Sequence, residues 1–182
     1  MNATTLREHL ARLDAALGEP ARLCVYGSAA LMLMGEEDRF SVDVDIAGPY
    51  STANERTLAV AAQQAGLPVN PPEDFLADHI EWVGSPRLCL AAPTAENAVV
   101  LWQGSRLTLF TLPPADLVAS RLIRYDPTDQ ADIQFLVIHS RVRFEQVAQA
   151  VTRLPPAFRD DALVHKNLTN LRRDLQRWSS GP

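Results

Sequence analysis

Asp43 and Asp45 stand two residues apart in the run Ser41-Val42-Asp43-Val44-Asp45-Ile46, where Val42, Val44 and Ile46 alternate with Ser41, Asp43 and Asp45. That period of two is the pattern of a strand with one buried face, so both carboxylates project from the other face. At about 3.3 Å rise per residue their Cα atoms lie roughly 6.5 Å apart, near enough for the side chains to lean together on a divalent ion. Without a cation or water between them, two such carboxylates repel. Upstream, Arg22 to Tyr26 reads as a short apolar strand ending at Gly27-Ser28, where a backbone without bulk turns into a helix from Ala29 to Met34. Such a junction gathers backbone N–H groups, a hydroxyl and a helix N-terminus, a combination that suits a phosphate. Turn and acids together suggest a nucleoside triphosphate held by the turn and by Mg²⁺ on the carboxylates. Metal-assisted phosphoryl transfer needs that pairing, because the phosphate charge must be neutralised while the reacting oxygens are kept in line.

The run Gly27-Ser28-Ala29-Ala30-Leu31, followed by Arg39-Phe40-Ser41-Val42-Asp43-Val44-Asp45, resembles the nucleotidyltransferases of the DNA polymerase beta superfamily. It is most similar to the bacterial branch that contains abortive-infection toxins and related small proteins. A second block, Pro114 to Leu122 followed by Asp129-Gln130-Ala131-Asp132-Ile133, stands where that branch has a helix bearing Lys and then Arg, and a closing acidic motif. The resemblance covers about residues 20 to 140. It implies Mg²⁺ on Asp43 and Asp45, with room for two ions, and an NTP as substrate. It also implies a catalytic set of Asp43, Asp45 and Arg121, and nucleotide binding by Gly27, Ser28, Arg39, Ser41, Arg121 and Arg124. The acceptor it implies is an RNA end or a hydroxyl on a protein, in a toxin-antitoxin setting with a cognate toxin or antitoxin partner; no lasting DNA complex is expected.

The pattern departs from the family in two places. Active members usually carry a third carboxylate on a later strand beside the Asp-x-Asp pair, and the best candidate strand, Arg106 to Leu112, has no acid. Glu96, Glu81 and Asp116 remain as substitutes, none of them in an apolar strand of the expected kind. The usual helix Lys is Arg121, which keeps the positive charge and offers a fork for phosphate but is unfit as a general base. These departures support an alternative to the transferase: a catalytically degenerate nucleotide-binding or regulatory module of the same fold.

The elements that must position these residues are marked by caps, stripes and breakers. Thr5 with Glu8 reads as a capping box for a first helix with a stripe of Leu6, Leu10, Leu13 and Leu17, ended by Gly18 and Pro20. Thr52 with Glu55 starts an alanine-rich helix from Ala53 to Ala65, stopped by Gly66, with Leu58, Ala61, Ala62 and Ala65 on its inner face. Pro68 to Asp78 is a loop with a helical turn at Glu73 to Ala77. Ile80 to Val83, Arg87 to Ala91, Val99 to Trp102 and Leu107 to Leu112 are short strand candidates. Helices follow at Ala115 to Arg124, Thr128 to His139, Phe144 to Leu154 and Ala157 to Trp178, and Ser179 to Pro182 reads as a frayed end. Arg121 and Arg124 share a helix face, as do Asp129 and Asp132. Those acids would orient Arg121 or a base, or simply favour a helix N-terminus.

Composition sets the frame. The chain has 182 residues, 47% of them hydrophobic and 21% charged, enough for a sizeable core. A net charge of −5 gives no overall field for nucleic acid, so an RNA contact would need a local patch such as Lys166, Arg172, Arg173 and Arg177. No apolar run approaches a membrane span and no leader precedes the first helix, so the expected location is the cytoplasm, away from any membrane. Cys24 and Cys89 lie in apolar runs without metal-ligand spacing and read as small buried hydrophobes. The four histidines are scattered; only His79 stands near the proposed site. The fold class expected is α/β (α+β): a nucleotidyltransferase-like mixed sheet backed by helices over residues 1–140, with a C-terminal helical extension at 141–182 packed on the same body.

Overall fold

A computed structural model of the chain describes residues 1–179; the rest of the frayed end expected from Ser179 onward lies outside the described residues. The architecture is mixed α+β, with short sheets backed by helices. By internal contacts the chain falls into two compact units, residues 1–88 with 95–111, and residues 89–94 with 112–182. The helices at 114–121 and 127–140, grouped by sequence with the first 140 residues, thus cluster with the C-terminal helices.

The first unit begins with α1 (Ala3–Ala16), whose Leu6, Leu10 and Leu13 are buried as the stripe requires. Its cap is Asn2, which accepts the Thr5 N–H at 2.9 Å; Thr5 itself is already inside the helix. Strand β1 (Ala21–Cys24) leads to α2 (Gly27–Leu33), and β2 (Asp43–Ala47) follows. A short 3-10 turn at Gly48–Tyr50 breaks the chain before α3 (Glu55–Ala65). Here Asn54 is the cap, accepting the N–H groups of Arg56 and Thr57, because the backbone of Thr52 is committed to a two-way bridge with Arg22. Leu58, Ala61, Ala62 and Ala65 are buried, and Gly66 closes the helix in the left-handed region at φ 78°.

Strands β3 (His79–Val83), β4 (Val99–Gln103) and β5 (Leu107–Thr111) complete the unit. β5 lies between β1 and β4, parallel to the first and antiparallel to the second, while β2 and β3 form a parallel pair of their own. A parallel pair needs a crossover, and α3 supplies it. The two sheets are tied where Val25 bridges Ile46 and the Tyr26 N–H donates to the Asp45 carbonyl at 3.1 Å. Leucines of α1, the small inner face of α3 and Leu23, Val25, Val44, Ile46, Ile80, Leu107 and Leu109 share one core. The strand expected at Arg87 to Ala91 does not form: a 3-10 turn covers Ser85–Arg87, and Leu88, Leu90 and Ala91 are buried without sheet pairing. Nor does a helical turn persist at Glu73 to Ala77, where the Phe75 N–H donates to Pro72 and the chain then runs on irregularly.

The second unit holds α4 (Pro114–Arg121), α5 (Pro127–Ser140), α6 (Phe144–Val151), α7 (Pro156–Arg159) and α8 (Ala162–Ser179). Asp126 caps α5 by accepting the Asp129 N–H, with Pro127 at the first turn where its missing donor costs nothing. The helix expected from Ala157 to Trp178 is split, since the Asp161 carboxylate accepts the Leu163 N–H at 2.7 Å and starts α8 afresh. Leu117, Val118, Leu122, Ile133, Leu136, Val147, Val164 and Leu171 are buried, and Asn167 donates to the Leu122 carbonyl at 2.8 Å. No helix among the described residues is long and apolar enough to cross a membrane.

Candidate functional site

The parallel pairing of β2 and β3 sets Asp43 opposite His79 and Asp45 opposite Glu81. In a parallel pair, opposite residues share a face, so two acids from β2 and one from β3 emerge side by side. Asp43, Asp45 and Glu81 each offer a carboxylate oxygen within 4.8 Å of the others, and all three are half-buried. Their apolar neighbours Val44, Ile46 and Ile80 face the core and fix the strands beneath them. Of the three substitutes weighed from the sequence, Glu96, Glu81 and Asp116, it is Glu81 that stands beside the Asp43 and Asp45 pair. The strand from which it was expected, β5, adjoins β1 and β4 and never touches β2 in the sheet order. The signal in the sequence was an acid inside a short strand that follows β2 after one helix, which is where a parallel crossover returns the chain.

Gly27 brings the turn against these acids. Its φ of +67° lies in the left-handed region, and a Cβ there would sit 2.0 Å from Asp45 Oδ2. Only glycine lets the backbone pass so close. Next to it, Ser28 Oγ accepts from Arg39 twice, at 3.1 Å from Nε and 2.9 Å from Nη2. Ser41 Oγ donates to Asp43 Oδ1 at 2.5 Å and orients that carboxylate. Glu81 also meets Arg87, whose Nη2 donates to Oε1 at 2.5 Å from an exposed side chain. Burial and the negative charges of Asp45, Glu81 and Asp43 push the Tyr26 phenol far above its usual range, with Arg87 opposing. That hydroxyl thus stays protonated and able to donate beside the acids.

The first unit gathers Gly27, Ser28, Arg39, Ser41, Asp43 and Asp45 in this way and adds Glu81. Three hard oxygen donors converging from two strands are a fitting set for Mg²⁺. His79 Nδ1 is bonded to the Ala77 carbonyl at 2.9 Å. Arg121 and Arg124 belong to the second unit. Arg121 is 6% exposed, its Nε donating to Asp132 Oδ2 at 3.1 Å and its Nη1 to the Leu117 carbonyl. Arg124 forks onto Asp129 at 2.8 and 3.1 Å. Asp129 and Asp132 thus face these arginines and link α5 to α4. In the C-terminal basic group, Arg172 stacks on the Phe144 ring at 4.2 Å and Arg177 pairs with Asp174. Cys24 is fully buried and Cys89 half-buried, and both are free thiols.

A family model described as a nucleotidyltransferase of unknown function (DUF6036) matches residues 4–176, and the chain belongs to that family. Comparison with the curated proteins and with the solved structures found no match in either. The family match carries the nucleotidyltransferase part of the resemblance, while the abortive-infection branch rests on the sequence pattern alone.

Proposed function

We propose that this nucleotidyltransferase moves a nucleoside monophosphate from an NTP to an acceptor hydroxyl at the site formed by Asp43, Asp45 and Glu81. The observation that carries the reading is the convergence of three carboxylates from adjoining strands beside a glycine turn. Mg²⁺ bound to these acids, as one ion or two, would neutralise the triphosphate and favour the attacking and leaving oxygens. In the reaction the acceptor oxygen bonds to the α-phosphorus, the bond to the β-phosphate bridge breaks, and pyrophosphate leaves as the hydroxyl proton passes to solvent.

The chain's own residues position that exchange. Gly27 leaves the turn without bulk, so its backbone can lie directly against the Asp45 carboxylate and bring the turn and the acids to one place. Arg39 and Ser28 offer a guanidinium and a hydroxyl to the β- and γ-phosphates, a charge-assisted contact stronger than a neutral one. Ser41 holds Asp43 in one orientation, and the Tyr26 hydroxyl remains a donor across the working pH range. Arg121 and Arg124 stay outside this proposal, because each is given a carboxylate partner in its own unit. The alternative of a degenerate binding module drew on a missing third acid and on Arg121 in place of the helix Lys; Glu81 beside the pair speaks against the first of these and leaves the second as it was. Resemblance of the first block to the abortive-infection branch supports an RNA or protein acceptor and a toxin-antitoxin setting.

Calorimetric titration with Mg²⁺ and each NTP, followed by incubation of labelled NTP with protein and RNA from a cell extract, tests the reading. We expect binding in the wild type, transfer of label, and loss of both in Asp43→Asn and Glu81→Gln. Nucleotide binding with no label moved would leave a binder and end the transferase reading.

A further inference from the structure

The segments that enter β2 and β3 carry a cluster of exposed apolar side chains next to the acids. Phe40, Val42, Phe75 and Leu76 are 71, 51, 36 and 87% exposed. The two segments are held to each other: the His79 N–H donates to the Val42 carbonyl at 2.9 Å, and Phe75 stands edge-on to His79 with ring centroids 6.0 Å apart. Met1 joins them further, its carbonyl accepting the Ser41 N–H and its ammonium meeting Asp78. Single exposed apolar residues are ordinary, whereas here four fall on two short segments bonded to each other.

Charge says what fits there. Glu37, Asp38, Glu73 and Asp74 flank the apolar residues and are all exposed. Between residues 35–42 and 70–78 the one Lys or Arg is Arg39, which is engaged with Ser28. An RNA backbone gains its affinity from Lys and Arg and would be repelled by such a rim, and the net charge of −5 adds to that repulsion. A protein segment with an apolar face and flanking Lys or Arg is complementary in both respects.

We infer that this rim docks a protein partner through a cationic, apolar-faced segment. That the docked protein supplies the acceptor hydroxyl rests on the transferase reading above. The full chain would be titrated, by fluorescence anisotropy without nucleotide, against three labelled probes: an amphipathic Lys/Leu peptide containing Tyr and Ser, a Glu/Leu peptide with the same apolar face, and a single-stranded RNA 20-mer. Phe40→Ser/Leu76→Ser and Glu37→Lys/Glu73→Lys, all at exposed positions, serve as variants. The inference expects the cationic peptide to bind at least tenfold more tightly than the other two, and each double variant to weaken it at least tenfold. It is overturned if the cationic peptide does not bind, if binding survives both variants, or if RNA binds through this rim. Addition of Mg²⁺ and labelled NTP to the same mixtures reads the acid site separately. Rim-dependent binding without label on the peptide leaves the docking surface standing and removes only the docked segment as the acceptor, the transferase reading itself being decided by the cell-extract assay above.

Discussion

Alanine at Gly27 separates the strain of a left-handed backbone from damage to the acids. At φ +67° an L-residue costs about 1–2 kcal/mol. The new Cβ would also lie 2.0 Å from Asp45 Oδ2, whereas ordinary contact begins at 3.4 Å. The oxygen must therefore retreat by about 1.4 Å, several times the roughly 0.2 Å tolerance of a metal–ligand distance. Gly66 supplies the control: it has φ +78°, and a Cβ there meets only His9, at 3.4 Å and beyond. Urea unfolding should show both Gly27→Ala and Gly66→Ala destabilised by about 1–2 kcal/mol from the backbone alone. Titration with Mg²⁺ and NTP should show wild-type affinity in Gly66→Ala and a loss of at least about tenfold, or about 1.4 kcal/mol, in Gly27→Ala. Wild-type affinity in Gly27→Ala would refute the claim that Asp45 and the turn serve one site. An equal loss in Gly66→Ala would show that general destabilisation, and not the displaced carboxylate, is the cause.

Arg121→Met should destabilise the second unit by about 3–5 kcal/mol, because it leaves Asp132 buried without its guanidinium. The double variant Arg121→Met/Asp132→Leu should recover most of that loss in urea unfolding; no recovery would mean that Arg121 matters for something other than this pair. Alkaline pH should weaken the fold through its thiols. Burial pushes Cys24 from 9.0 up to about 12, with Arg22 pulling slightly the other way, and Cys89 moves likewise to about 12. The unfolded chain then releases these protons first, so stability is fully present below pH 9 and falls as pH rises from 9 toward 12. The slope for Cys24 is at most about 1.4 kcal/mol per pH unit, and Tyr26 and Tyr125, also raised, add to the decline above pH 10. Urea midpoints measured from pH 8 to 11 should fall less steeply in Cys24→Ala, and an unchanged slope would remove burial of this thiol as the cause.

Local signals were the most legible part of the fold. The leucine stripe of α1, the small inner face of α3 and the alternation around Asp43 and Asp45 follow from periodicity, and burial bears out the first two and Val44 and Ile46 of the third, while Val42, read on the same face, is 51% exposed because the strand begins only at Asp43. Caps were read two or three residues out of place, since Thr5 and Thr52 have the right chemistry but Asn2 and Asn54 have the right position. For Thr52 the reason is long-range: its backbone is already paired with Arg22, thirty residues away in sequence.

The sequence by itself determined that two carboxylates would share a strand face behind a glycine-serine turn, because a side-chain period of two and a residue without a Cβ are local properties. Which third acid joins them was decided by tertiary structure. Strand neighbours are chosen by crossover connections and by the burial of Val44, Ile46 and Ile80, none of which a single segment displays. The same holds for Arg121, whose charge is plain in the chain but whose partner Asp132 is set by how α4 packs on α5.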